Sequence, residues 1–216
     1  TPRGKRPAFT VNVDHRKRNP TLSPRQYTAG LGASQAAMPA RISAAVEYRG
    51  VLFVCIAGTR VYKMENWSGS GEGTAYFTLV FTHSNGSAVL RDLVVHDDVL
   101  YAAAGETAVY AYSADGGTTW VESNRGAGLA NAEQFMVLND VLHKTRMPNL
   151  HYQTTSGING GVAWSSADAI GETGDASTGS FEMVGLSNNA VFNKEEGIFN
   201  LDGDGNTTDL LPGLQK

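Results

Sequence analysis

Short apolar runs of four to six residues, broken by Gly, Asn, Asp and Thr, dominate this chain, and one arrangement of them comes back four times. It begins with a turn residue, two aliphatics and usually a ring: Gly50-Val51-Leu52-Phe53, Asp98-Val99-Leu100-Tyr101, Asp140-Val141-Leu142-His143 and Asn189-Ala190-Val191-Phe192. Eight to ten residues on comes an aliphatic followed by a ring: Val61-Tyr62, Val109-Tyr110, Leu150-His151 and Ile198-Phe199. A turn lies between: Ala57-Gly58-Thr59, Gly105-Glu106-Thr107, Met147-Pro148-Asn149 and Glu195-Glu196-Gly197. Such runs, bounded by turn residues, predict strand, turn, strand. A further apolar segment precedes each pair (42–46, 90–95, 135–138, 181–186), and a Trp or Thr-rich segment follows (Trp67, 118–121, 162–164, 207–211).

The unit is therefore four short strands, starting at positions 51, 99, 141 and 190 and spaced by 48, 42 and 49 residues. A four-stranded unit repeated at about 40–50 residues is the pattern of β-propeller blades. A single sheet of this kind cannot cover both faces, whereas sheets set around an axis cover each other. Val99 and Leu100 should then face opposite neighbours, and Leu93-Val94-Val95 should be buried on both sides. A β-sandwich also has many short strands, but it gives no reason for one signature to recur. The expected fold is all-β: a propeller with about four evident four-stranded blades, at roughly 38–85, 86–130, 131–178 and 179–216, behind an extended basic arm at 1–37. Four blades are the low end for closure, so the ring closes with four, belongs to a larger ring, or takes blades from a partner.

Composition supports a β protein. Glycine supplies 25 of 216 residues, and at 41% hydrophobic and 18% charged the chain can build a core. A single cysteine, Cys55, excludes an internal disulfide and any multi-cysteine metal site. No apolar run approaches the roughly 18 residues of a membrane-spanning helix. Charge is uneven. Residues 1–26 carry Arg3, Lys5, Arg6, Arg16, Lys17, Arg18 and Arg25 against Asp14, a balance of +6 in a chain of net −4, so the remainder carries −10. The arm suits an acidic partner surface, including the body of another copy, or a nucleic-acid backbone; a solvated tail is the plain alternative. Pro2, Pro7, Pro20 and Pro24 disfavour helix or central strand there.

Chemistry-bearing motifs are few. His96-Asp97-Asp98 looks catalytic but sits where Asp-Asp is ordinary turn chemistry. His143 and His151 replace rings of the sister units, which favours half-buried rings over metal ligands. Asn200, Asp202 and Asp204, with Gly205 following, resemble a calcium loop, although the first ligand is Asn and no Glu closes it; a polar hairpin is the alternative. No other cofactor is expected.

Ser113-Ala114-Asp115-Gly116-Gly117-Thr118-Thr119-Trp120 has the form S-x-D-G-G-x-T-W. It resembles the Asp-box, a hairpin signature of sialidases, sortilin-type receptors, xyloglucan-hydrolysing enzymes and many bacterial and phage propellers. Ser113, Asp115, Gly116, Gly117, Thr119 and Trp120 are then structural: the glycines supply positive φ, Asp115 binds backbone N–H groups, and Trp120 packs under the hairpin. A sialidase would need three arginines, a Tyr–Glu pair, an acid/base carboxylate and about six blades; no Arg-Ile-Pro segment of that family occurs here. Asn12 to Leu22 with Gly30-Leu31-Gly32, Val162 to Ser166 and Gly197 to Gly205 are similar to propeller proteins of tailed-bacteriophage virions, loosely but along most of the chain. That resemblance implies a non-enzymatic structural component of the tail hub or nozzle, located in the virion. Its partners would be copies of itself and other virion proteins, and its loops could meet a host-surface glycan. The competing expectation is a secreted Asp-box protein that binds or cleaves glycans.

Overall fold

The computed structural model describes residues 41–56, 58–65, 76–124, 129–146, 150–156, 163–164, 168–169, 182–186, 189–194, 197–201 and 207–210. All regular structure among them is β, in successive antiparallel sheets. The first sheet is β1 (Ile42–Tyr48), β2 (Val51–Ile56), β3 (Arg60–Glu65) and β4 (Tyr76–Thr82), paired in that order. The second contains β5 (Asp92–His96) and β6 (Val99–Ala103); then β7 (Gly105–Val109) leaves it, and β8 (Ala111–Ser113) and β9 (Val121–Glu122) complete it. The strand β7 pairs instead with β10 (Asn131–Ala132), on the way to the third sheet. That sheet is β11 (Gln134–Leu138), β12 (Val141–Arg146), β13 (Leu150–Ser156) and β14 (Ala163–Trp164), with β15 (Asp168–Ala169) also on β13. The fourth is β16 (Glu182–Leu186), β17 (Asn189–Lys194), β18 (Gly197–Leu201) and β19 (Thr207–Asp209). The fold is a β-propeller, with four such blades among the described residues.

Each sheet opens with the same device. Tyr48 pairs with Val51, His96 with Val99, Leu138 with Val141 and Leu186 with Asn189, so two residues form every leading hairpin. In the first three, both turn residues have positive φ: Arg49 and Gly50, Asp97 and Asp98, Asn139 and Asp140. This is the turn whose twist matches that of the flanking strands, and Asn, Asp and Gly tolerate it best. The leading strands lie side by side in the series β1, β5, β11, β16; among the described residues β16 makes no comparable contact with β1.

The core lies between sheets. All five residues of β6 are buried, and they alternate. Leu100 and Ala102 join Tyr48, Phe53, Cys55 and Val61 of the first sheet. Val99, Tyr101 and Ala103 join Phe135, Leu142, Tyr152 and Trp164 of the third. Val99 and Leu100 thus face opposite neighbours.

Four details depart from the sequence pattern. In the second unit the turn expected at 105–107 is strand β7, because the chain reverses at Gly105 (φ +74°) and the third-strand place passes to Ala111–Ser113. Thr118–Trp120 belongs to a turn, and the fourth strand begins at Val121. The fourth strand of the first unit is Tyr76–Thr82, well beyond Trp67. In the fourth unit the hairpin register starts at Asn189, so Phe192 matches Val54, Ala102 and Lys144, not the rings at 53 and 101. A one-residue slip of this kind exchanges the two faces of a strand.

Candidate functional site

The turn from Ser113 to Trp120 is organised by one carboxylate. Asp115 Oδ1 accepts from the Ser113 hydroxyl (2.9 Å) and from the N–H groups of Thr118 (3.1 Å) and Thr119 (2.8 Å). The Ser113 hydroxyl oxygen in turn accepts from Gly117 N–H at 3.0 Å. Bonds from Thr119, with those from Ser113 and Thr118, pull the Asp115 carboxyl down to about 2. Gly116 and Gly117 both have φ +79°. At Gly117 the backbone rests on the first sheet: a Cβ there would lie 2.3 Å from Phe53 Cε1. Trp120 donates from its indole N–H to the Gly117 carbonyl at 3.1 Å. Its ring does not stop under its own hairpin, as the sequence suggested, but stacks on Phe81 of β4 with centroids 5.0 Å apart. The turn therefore faces the neighbouring sheet.

Both ends of the leading strands are stitched from one sheet to the next. At the hairpin end the Tyr48 hydroxyl donates to the Asp98 carbonyl (2.6 Å), and Arg49 pairs with the Asp98 carboxylate, which holds that carboxyl below its usual range. One sheet further on, His96 Nε2 meets the Asp140 carbonyl at 2.8 Å. The cluster His96-Asp97-Asp98 is thus largely engaged in inter-sheet contacts. At the opposite end Ser43 donates to the Leu90 carbonyl (2.7 Å), and the Asp92 carboxylate accepts from Phe135 N–H (2.9 Å). Burial raises the Asp92 carboxyl to about 6, with the Phe135 and Leu93 N–H groups opposing. Close by, Arg91 pairs with Glu133, Glu133 accepts from Glu106 N–H (3.0 Å), and Arg146 grips Glu106 with two bonds (3.0 and 2.7 Å).

The third sheet carries bases where its sisters carry apolar side chains. Lys144 stands at the position of Val54 and Ala102 and has no exposed surface. Its ammonium donates to the carbonyls of Leu129 and Asn131 and lies over the rings of Trp164 (4.6 Å), Tyr152 (4.8 Å) and Tyr110 (5.7 Å). Burial, with Arg146 nearby, lowers the amine's affinity for its proton, and Glu106 opposes. On the other face of β12, His143 Nδ1 and His151 Nε2 are 2.8 Å apart in stacked rings. Burial lowers both, His151 to about 3. These rings are deeply buried, at 5% and 2% exposure, rather than half-buried.

The structure places the Ser113–Trp120 residues together in one turn. The basic arm (Arg3, Lys5, Arg6, Arg16, Lys17, Arg18, Arg25) lies outside the described residues. Of the calcium-loop residues, Asn200 ends on β18, whereas Asp202 and Asp204 lie outside the described residues. Among the described residues no three His, Cys, Asp or Glu side chains are grouped to hold a metal ion. Sequence reasoning missed Asp92, Glu106, Glu133 and Lys144. For Lys144 the signal was available: a lysine in register with Val54 and Ala102 of the sister units.

No protein-family model matches the chain, and no curated protein does. Solved structures do. The extracellular domain of the putative hybrid two component system BT4673 from B. thetaiotaomicron matches with TM-score 0.61 at 9% identity, over 81% of this chain and 24% of that one. The structure of YjhT matches with TM-score 0.57 at 12% identity, over 83% and 67%. YCF48 from Cyanidioschyzon merolae matches with TM-score 0.55 at 10% identity, over 86% and 63%. At these identities the likeness shows the propeller fold. The chain spans about a quarter of the BT4673 domain.

Proposed function

We propose that this chain is a non-enzymatic structural propeller that assembles with neighbouring subunits, and that its place is the tail of a tailed-phage virion. The observation that carries the reading is where its ionisable groups go. Arg91, Glu106, Glu133, Arg146 and Asp92 join the second sheet to the third, and Arg49, Asp98 and Tyr48 join the first to the second. Side chains of these types are the raw material of hydrolytic sites, and here they fasten sheets. The series β1 to β16, with no comparable contact between its two ends among the described residues, favours a part that is completed by other blades. The +6 arm against a −10 body supplies a means of attachment. The specific placement in a virion rests on the resemblance of the arm and blade segments to phage propellers.

Negative-stain electron microscopy of the purified chain, with limited proteolysis of the arm before and after assembly, tests this. A ring or tube in which the arm becomes protected is the expected result. A monomeric disc whose arm is cut equally under all conditions sinks it. The likeness to an extracellular domain favours one second reading, a secreted glycan-binding or glycan-cleaving propeller. Specific binding on a glycan array, or turnover of sialosides or xyloglucan, would replace the first reading with it.

A further inference from the structure

The surroundings of Lys144 are chemically one-sided. Tyr110 precedes β8 in the second sheet, Leu129 and Asn131 lie on the connection to the third, and Tyr152 and Trp164 belong to β13 and β14. Around the Nζ atom these provide two carbonyl oxygens and three aromatic faces, all electron-rich. The box is closed: Lys144 and Tyr110 are 0% exposed, Tyr152 5% and Trp164 9%. The Trp164 indole N–H points to the Tyr110 hydroxyl at 3.4 Å, which sets two of the walls against each other.

An alkylammonium has three N–H donors and no lone pair. Two donors are taken by the carbonyls, and the third is left for the rings. A neutral amine would have to turn its lone pair toward an oxygen or a π face, and both repel it. Rings of this kind attract a desolvated cation by up to about 2 kcal/mol each. Hydrogen bonds from a charged donor are stronger than those from a neutral one. Of the charged groups nearby, Arg146 opposes the ammonium and Glu106 favours it. Glu106 is paired with Arg146 and Glu133 with Arg91, and the titratable side chains that wall the box are Tyr110 and Tyr152.

From this arrangement we infer that Tyr110, Tyr152, Trp164 and the carbonyls of Leu129 and Asn131 form a binding site for a primary alkylammonium, which the chain fills with its own Lys144. The ligand class follows from the wall chemistry: a slim aliphatic stem ending in –NH₃⁺. A quaternary ammonium has no N–H for the carbonyls. The first and second sheets meet through Phe53, Leu100 and their apolar neighbours. The second and third are additionally locked by a cation held from both sides.

Lys144→Ala removes a fragment the size of n-propylammonium, and that ion is the probe. At ten times its dissociation constant, n-propylammonium chloride should raise the variant's Tm by about 3–6 °C over equal sodium chloride. The wild-type chain, whose site is full, should not respond. 1-Propanol, of the same shape without the charge, should not reproduce the rise. An equal rise with 1-propanol would show a merely greasy cavity, and a folded variant that responds to neither would show that no such site exists; either result overturns the assignment. If Lys144→Ala does not fold, the wild-type chain still decides. Selective ¹³C labelling of lysine with NMR detection should show the Lys144 amine protonated at pH 6, below the value of about 7 to which burial brings it. A neutral amine there would refute the inference.

Discussion

Gly117 is where the Ser113–Trp120 turn touches the first sheet, and Gly117→Ala perturbs two things that can be separated. The backbone sits at φ +79°, where a side chain costs about 1 kcal/mol or somewhat more. The new Cβ would also lie 2.3 Å from Phe53 Cε1 and 2.6 Å from its Cζ. Phe53 is 1% exposed and wedged among Leu100, Ala102 and Tyr48, so the ring cannot swing clear. Forcing extra atoms into a packed core costs about 1–3 kcal/mol. The sum is about 2–4 kcal/mol, or a fall in Tm of roughly 5–15 °C for a chain of this length. Urea unfolding of a four-protein cycle isolates the contact. Phe53→Leu alone should cost about 1–2 kcal/mol, and it removes the two ring atoms that would clash. In that background Gly117→Ala should cost only the backbone share, so the two substitutions should couple by about 1–3 kcal/mol. Additivity within about 0.5 kcal/mol would show that the turn does not bear on Phe53, and the account of the first seam would fail.

Two pH effects of opposite sign follow from the buried groups. Asp92 holds its proton up to about pH 6 when folded, against an ordinary carboxyl value of 3.8, so the folded state binds the extra proton between these values. Its share of stability is therefore present below pH 4 and lost as pH rises to 6, by up to about 3 kcal/mol. Relative to wild type, Asp92→Asn should gain that amount between pH 4 and pH 7 in guanidinium unfolding; parallel curves would refute it. His151 moves the other way: its folded value is about 3 against 6.5 unfolded, so the unfolded chain takes up the proton first and stability falls as pH drops below 6.5. By pH 4.5 this amounts to about 2–3 kcal/mol. His151→Val, which copies Val61 of the first sheet, should unfold less readily than wild type as pH falls from 6.5 to 4.5. An unchanged acid limb would show that the histidine pair does not set it.

Much of the architecture was written in the turn chemistry. Gly50, Asp98, Asp140 and Asn189 all flank or form two-residue hairpins, and the apolar segments before them became β1, β5, β11 and β16. Local pattern suffices there, because positive φ and strand alternation are properties of a few adjacent residues. What adjacent residues do not encode is which sheet a side chain will meet. The motif around Asp115 is readable, yet Trp120 ends on Phe81, and the reason for Gly117 is a ring 64 positions earlier in the chain. The Phe192 alignment failed for a related cause: one residue of slip leaves a run apolar in sequence but changes its register position. Glu106, Glu133 and Arg146 carried no signal, since their pairing across a seam depends on partners tens of residues away.

A stack of like sheets has a problem that ordinary cores do not. If every face were apolar in the same pattern, the second sheet could pack on the third, the fourth, or a sheet of another copy with nearly equal gain. Apolar contact is non-directional, so it does not choose. Lys144 chooses. Set against any face lacking the carbonyls of Leu129 and Asn131 and the ring of Tyr110, it would be a buried charge without partners, at a cost of about 3–5 kcal/mol. Asp92 acts likewise toward the N–H of Phe135, and Gly117 admits only a neighbour that places a ring where Phe53 lies. Each of these groups is satisfied when the correct neighbour is present. Each costs more when the neighbour is wrong. The difference favours the order of sheets seen here over any other that the apolar faces alone would allow.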